Sequence, residues 1–224
     1  MKLAVISANL GNFDPLSPHV PQILSADDTC ECITLTDQNF PPRFSAMRPR
    51  LQARIPKCFA WQIFPDFDYY VWIDASCRLS REDSVVWFLK QCKENYCDIA
   101  VFLHPDRHTI AEEYSFLKQK LSEKNKYLCS RYEGEFLEEQ YSVISNTPYL
   151  DNKLYASTAF IYRNNKMVRE MLKEWWYHIS RYHIIDQLAF PFVLEMSNCM
   201  VYEIQDNYLK CPYIEYTRNK DKKA

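Results

Sequence analysis

The sequence predicts an α/β domain with a mostly parallel central sheet flanked by helices, on three observations. Short apolar runs alternate with stretches of helical periodicity along most of the chain. The run at 68–74 is apolar almost throughout, as a strand buried on both faces must be. Hydrophobic residues make up 47% and charged residues 25%, enough apolar mass for a packed core and too much for disorder. The 224 residues fit one domain over 1–217, followed by a charged tail at 218–224.

The elements follow in order. Residues 2–8 are apolar and β-rich, and Asn9-Leu10-Gly11-Asn12 breaks them as a turn. Residues 13–29 hold Pro15, Pro18 and Pro21 and show little periodicity, which reads as a loop or a short irregular helix. A second strand at 31–36 ends at Asp37, and 39–50, with Pro41, Pro42 and Pro49, reads as a long loop. A helix is predicted over 51–64, with Ile55, Phe59 and Ile63 on one face and Pro56 marking a boundary within or near it. The 68–74 strand comes next, then a short helix at 83–92 and a strand at 98–103 ending at His104-Pro105. Ile110, Tyr114, Leu117 and Leu121 form a helical stripe, and 133–145 admits another helix. A strand is expected at 154–163. The strongest stripe follows, through Met167, Val168, Met171, Leu172, Trp175, Trp176 and Ile179. A helix starting near Asp186 and a strand at 200–204 complete the pattern.

Composition excludes several classes. A net charge of −2 implies no nucleic-acid surface. No apolar run reaches the ~20 residues of a membrane span, and the first apolar segment is too short for a signal peptide. Nine cysteines without zinc-type spacing read as reduced thiols in the cytoplasm, and Cys30 and Cys32, two apart on a strand, are expected to point to opposite or unrelated partners rather than form a clip. Aromatics, at 15%, are expected mainly in the core. Only Gly11 and Gly134 occur, so neither a dinucleotide fingerprint nor a P-loop is present.

The most informative segment is Tyr69-Tyr70-Val71-Trp72-Ile73-Asp74-Ala75-Ser76, a hydrophobic strand ending in Asp-x-Ser. Open α/β sheets bind ligands beyond the carboxyl ends of their strands, which puts Asp74 at a crevice. A carboxylate there suits a hard divalent cation, with a hydroxyl or water completing its shell, and such a cation would bridge two phosphates. A plain turn or helix-capping carboxylate is the other reading.

Asp74-Ala75-Ser76 resembles the Asp-x-Asp motif of GT-A glycosyltransferases, with Ser in the final place. Together with Arg54-Ile55-Pro56-Lys57, His104-Pro105-Asp106-Arg107 followed by Glu112-Glu113, and Asp186-Gln187-Leu188, it forms an ordered set. That set is similar to the plant glycosyltransferase-like family linked to pectin and mucilage synthesis. It is also similar to the small capsid-glycosylating transferase domains of large algal viruses. The resemblance spans roughly 50–195. It implies a GT-A fold, a nucleotide-sugar donor of the UDP type, a glycan or glycoprotein acceptor, Mn²⁺ or Mg²⁺, and a cytoplasmic location, in the host cell if the source is viral.

The resemblance makes Asp74 and Ser76 metal or diphosphate ligands. Asn9 and Asp37, at the ends of the first two strands, become contacts to base or ribose, with turn-forming as the alternative. Arg54 and Lys57, three apart on one helix face, would meet phosphate oxygens, the guanidinium as a fork and the ammonium as a point charge; a solvated helix face is the plain alternative. His104 and Arg107 would contact donor sugar, acceptor or phosphate. Glu112 and Glu113 favour a helix N-terminus in any case, and only the resemblance singles out Glu113. Asp186 is the candidate general base, or a carboxylate supporting oxocarbenium charge, against a helix cap as the alternative. His183 is not expected to bind metal. A non-catalytic nucleotide-sugar or carbohydrate-binding module on the same fold is the competing reading, and Ser76 favours it.

Overall fold

The structure is a computed structural model and describes residues 1–11, 13–15, 17–41 and 46–217. Asn12 of the predicted turn, Pro42 of the predicted loop and the 218–224 tail lie outside the described residues. The strands are β1 (Lys2–Asn9), β2 (Thr29–Thr36), β3 (Tyr69–Ile73), β4 (Cys77–Leu79), β5 (Ile99–Leu103), β6 (Tyr155–Arg163), β7 (Val201–Ile204) and β8 (Ile214–Tyr216). The helices are α1 (Pro49–Gln52), α2 (Arg54–Ile63), α3 (Ser84–Glu94), α4 (Ile110–Ser122), α5 (Lys126–Tyr132), α6 (Leu137–Ser145), α7 (Lys166–Arg181) and α8 (Phe190–Met196).

Six strands form the central sheet in the order β2-β1-β3-β6-β5-β7. All run parallel except β6, which is antiparallel to both neighbours. The fold is therefore mixed α/β with a mostly parallel sheet, as the alternation of apolar runs predicts. Reversal of β6 matters for the site, because it brings the start of that strand to the edge where β1, β3 and β5 end.

Side chains alternate across the sheet with period two. Ala4, Ile6, Tyr70 and Trp72 enter one core, under α2, α7 and α8, with Phe160, Trp175 and Phe190. Leu3, Val5, Val71 and Ile73 enter the other, under α3, with Val85, Phe88 and Phe102. Both sides of β3 are sealed, which is why its sequence is apolar throughout. The α7 stripe buries Val168, Met171, Leu172, Trp175 and Ile179 as its periodicity requires.

Several elements differ from the sequence expectation. The predicted 51–64 helix is two pieces, α1 and α2, and the distortion inside α2 falls at Phe59 (φ −126°, ψ 21°). Pro56 is the third residue of α2, where a missing N–H costs nothing because first-turn donors have no partner within the helix. Near Asp186 the chain forms a 3₁₀ turn, Asp186–Leu188, before α8. The β4–β8 pair and α5 were not foreseen: two three-residue strands and one seven-residue helix are too short to show a period. Cys30 and Cys32 correct another expectation. Residues two apart on a strand share a face, and the Cys32 thiol is the first cause that pushes Cys30 up. Among the described residues no helix is long and apolar enough to cross a membrane.

Trp175 stacks on Phe190 with ring centroids 4.0 Å apart and is fully buried. Trp175→Ala is expected to lower unfolding free energy by ~3–5 kcal/mol, whereas Leu150→Ala, at a residue 65% exposed, should change it by less than ~0.5 kcal/mol. Urea unfolding of both variants checks this, and equal effects would contradict the assigned core.

Candidate active site

Four chain segments meet at the carboxyl edge of the parallel strands. Asn9-Leu10-Gly11 follows β1, Asp74-Ala75-Ser76 follows β3, His104 follows β5, and Ser157-Thr158 lies near the start of the reversed β6. The backbone ties them: Asp74 N donates to Thr158 O at 2.9 Å and His104 N to Leu154 O at 2.8 Å. A cleft of about 470 Å³ opens here. Helices α1 and α2 form one wall, and α4 with α5 contributes another.

Gly11 shapes the turn after β1. Its φ is +75°, and a Cβ would stand 3.1 Å from both Phe13 and Pro49 side-chain atoms. Its N–H donates to both Asp37 carboxylate oxygens at 3.1 Å. Asp37 therefore braces this turn and is not part of the cleft lining. Asn9 does line the cleft, with its amide donating to Asp14 O at 2.7 Å.

At the floor lies a four-membered ionic cluster. Lys57 Nζ is 2.6 Å from Asp186 Oδ2 and 3.5 Å from Asp74 Oδ1. Arg54 Nε is 3.1 Å from Asp186 Oδ2, and Arg54 Nη1 is 4.0 Å from Asp74 Oδ1. Trp72 Nε1 donates to Asp74 Oδ1 at 2.7 Å, and Ser157 Oγ to Asp186 Oδ1 at 2.8 Å. Trp175 Nε1 donates to the Asp186 carbonyl at 2.7 Å and fixes the 3₁₀ turn. The Lys57 side chain is fully shielded from solvent, with the rings of Trp72, Trp175 and Phe160 at 5.4–5.9 Å. Lys57 thus sits beneath the cleft, while Arg54, Asp74, Ser76 and Asp186 line it.

Burial by itself pushes the Asp186 carboxyl up. The charges of Arg54 and Lys57, with hydrogen bonds from Lys57 and Ser157, outweigh burial and hold it below its ordinary value. Burial likewise opposes the Arg54 charge, and Asp186 and Asp74 more than offset it, so Arg54 is raised.

A second cluster lies toward α4. Arg107 Nε bonds Glu113 Oε2, Gln187 Nε2 donates to Glu113 Oε1 at 2.6 Å, and Arg107 Nη2 is 3.1 Å from His104 Nε2. Glu113 is buried at the cleft wall, whereas Glu112 accepts from His108 N at 2.6 Å and stays with the helix end. Burial first, then the Arg107 charge, pushes His104 down to about 4.

Of the residues singled out in the sequence, Asn9, Arg54, Asp74, Ser76, His104, Arg107 and Asp186 share the cleft lining; Lys57 and Asp37 do not. His183 is enclosed, accepting from Ile185 N at 3.0 Å, with burial pushing it down to about 4. Arg50, Arg131, Tyr127, Tyr132 and Tyr208 also line the cleft and were missed. For Arg50 a signal existed, since it lies four residues before Arg54. For the others none did. Among the described residues no three His, Cys, Asp or Glu side chains converge as a metal site.

An acidic strand end, facing cations and a polar cleft on a mostly parallel sheet form the candidate site, and the family match places the protein in the glycosyltransferase class. The model of the TOD1/MUCI70 glycosyltransferase-like domain matches residues 43–215, and the chain belongs to that family. Solved structures similar to it include a glycosyltransferase involved in glycosylation of the major capsid of PBCV-1, at 9% identity and TM-score 0.46, over 93% of this chain and 85% of that one. Mouse xyloside xylosyltransferase 1, in its apo form, is similar at 10% identity and TM-score 0.47, over 91% and 85% of the two chains. A197 from STIV is similar at 9% identity and TM-score 0.39, over 92% and 82%. No curated protein sequence matches the chain.

Two predictions follow from the buried charges. Lys57→Met leaves Asp186 without its closest cation and should cost ~3–5 kcal/mol, the usual penalty for breaking a buried pair from one side. The double variant with Asp186→Asn should cost clearly less than the two single losses added together, and additive losses in urea unfolding would contradict the coupling.

The second concerns pH. Burial pushes His178 and His183 down to about 4 from 6.5, so their contribution is complete above 6.5 and is lost as pH falls through about 4. Asp186, also depressed, contributes above 3.8 and is lost only as pH falls through its lower folded value. The urea midpoint should therefore decline from below pH 6.5 towards 4. A profile flat across that window would contradict the burial of the two imidazoles.

Proposed function

We propose that the protein transfers a sugar from a nucleoside-diphosphate sugar, of the UDP type, to a hydroxyl of a glycan or glycoprotein. The observation that carries this is Asp74, at the carboxyl end of β3, presenting a 26% exposed carboxylate to the cleft beside Ser76. Oδ1 of Asp74 takes the Trp72 N–H, which orients the group, and no described residue bonds Oδ2. One carboxylate and one hydroxyl fit a Mg²⁺- or Mn²⁺-type ion, which commonly keeps one or two carboxylates and leaves its other positions to phosphate oxygens and water. Asp74 and Ser76 would hold that ion, and when bound it would supply charge stabilisation for the departing diphosphate.

The residues themselves do the rest. Arg54 lines the cleft with its guanidinium held by charge at ion-pair distance from Asp186 and Asp74, and we assign it to meet the negative charge that develops on the leaving group. A general base works best with a pKa near the operating pH, and Asp186 is held below its ordinary range. We therefore assign Asp186 the electrostatic role, holding Arg54 and Lys57 in place near the anomeric carbon, rather than the base role. His104, Arg107, Glu113 and Gln187 form the polar wall that we assign to the donor sugar or the acceptor.

Thermal shift with UDP and a panel of UDP sugars, with and without Mn²⁺, tests this. A bound donor at a hundredfold its Kd adds ~2.7 kcal/mol to the folded state. Wild type should gain a metal-dependent shift that Asp74→Ala loses, and should release UDP and free sugar slowly without acceptor. Binding that ignores both Mn²⁺ and the substitution would remove Asp74 from the mechanism. The competing binding-module reading, which Ser76 favours, predicts a shift with no donor hydrolysis and no transfer.

A further inference from the structure

We infer that Arg50 and Arg131, which line the cleft from α1 and α5, help to seat the diphosphate of the donor. This rests on the nucleotide-sugar reading above and adds residues that the sequence did not single out. Arg50, Arg54 and Lys57 run in sequence at spacings of four and three across α1 and α2, so they form one ascending row of cations. The two deeper members are committed: Lys57 and Arg54 face Asp74 and Asp186, and the four charges cancel. Arg107 is committed to Glu113. Arg50 and Arg131 are different. Both line the cleft, and no carboxylate of a described residue lies within ion-pair distance of either. Glu135, the nearby acid, is engaged by Arg48 at 3.7 Å.

The two guanidiniums also feel each other. Arg50 is lowered, first by burial and then by the Arg131 charge. Glu135 attracts Arg50 only from beyond ion-pair distance, and two partly buried like charges with no carboxylate in contact are unfavourable; a polyanion placed between them removes the repulsion. Their geometry suits such a ligand. Arg50 lies over the Phe13 ring at 4.3 Å and Arg131 over the Tyr127 ring at 4.0 Å, so aromatic faces hold the guanidinium planes; Arg131 also meets the Tyr132 hydroxyl, and its remaining N–H groups are left for a ligand. Arg131 Nε is shielded from water and makes no hydrogen bond. Planar forks of this kind bind phosphate oxygens in pairs.

The experiment measures binding of three probes to the intact protein by calorimetry: inorganic pyrophosphate, UDP and uridine. Arg50→Gln and Arg131→Gln should each weaken pyrophosphate and UDP by ~10-fold or more (~1.4 kcal/mol) and leave uridine unchanged. Arg50→Lys should recover part of the loss, since charge returns without the fork. Unfolding midpoints confirm that each variant is folded, and Leu150→Ala serves as a neutral control. UDP and pyrophosphate binding at wild-type strength in both Gln variants overturns the assignment while leaving the donor reading intact. Wild type that binds pyrophosphate through these arginines but ignores UDP keeps the anion seat and defeats the donor reading. Wild type that binds neither defeats both.

Discussion

An ammonium group enclosed by three aromatic rings cannot be left alone, and Lys57 is in that position. Removing a cation from water costs several kcal/mol, recovered only by close opposite charge and complete hydrogen bonding. Asp186 at 2.6 Å and Asp74 at 3.5 Å supply that charge, and they come from the 3₁₀ turn after α7 and from the end of β3. One side chain of α2 thus dictates where two distant chain segments must stop. A buried pair contributes little net stability compared with an apolar core of equal volume. What it fixes here is position: with Lys57 in place, neither carboxylate can rotate away without exposing an unpaired charge to the protein interior.

That fixation organises the layers above it. Arg54, one helical turn from Lys57, reaches the same two carboxylates from the solvent side. Trp72 and Trp175, each packing against the ammonium, also donate their indole N–H groups to Asp74 and to the backbone of Asp186. The aromatic residues that fill the core therefore also orient the polar groups at its edge. The high aromatic content is a packing feature and a site feature at once, which composition alone cannot separate.

The strands were legible because burial on both faces leaves an unbroken apolar run, as at β3, and α7 was legible because its stripe is long. Asp74 followed from its place at a strand end. Depth was not legible. Arg54 and Lys57 are three residues apart and chemically alike, yet one lines the cleft and the other is sealed beneath it. Periodicity assigns a face and says nothing about how much protein covers that face. Arg131 and Tyr132 sit on a seven-residue helix, and Tyr208 follows the last strand of the main sheet in a segment without pattern, so no local signal could place them at the cleft. Asp37 was misleading for the opposite reason. It stands at the end of β2, where a ligand contact is plausible, but a glycine with φ +75° needs its N–H held, and Asp37 does that.

The place of Ser76 becomes intelligible in this electrostatic setting. A second carboxylate two residues after Asp74 would tighten a divalent cation, but in the proposed mechanism it would also set another negative charge where the diphosphate approaches. The floor of the cleft is already neutral, with two cations balancing two carboxylates. A third acid would tip that balance against the ligand, and a hydroxyl does not. In the proposed mechanism the load on the metal falls accordingly, because fixed guanidiniums at Arg54, Arg50 and Arg131 share the work of meeting the phosphate charge. Fixed protein charges in a site poor in water act more strongly than the same charges in solution, since nothing reorients around them as the bond breaks. A site that trades one carboxylate for more arginine should therefore hold its cation more weakly when empty than when the diphosphate is present, and the metal and the donor should bind as one cooperative unit.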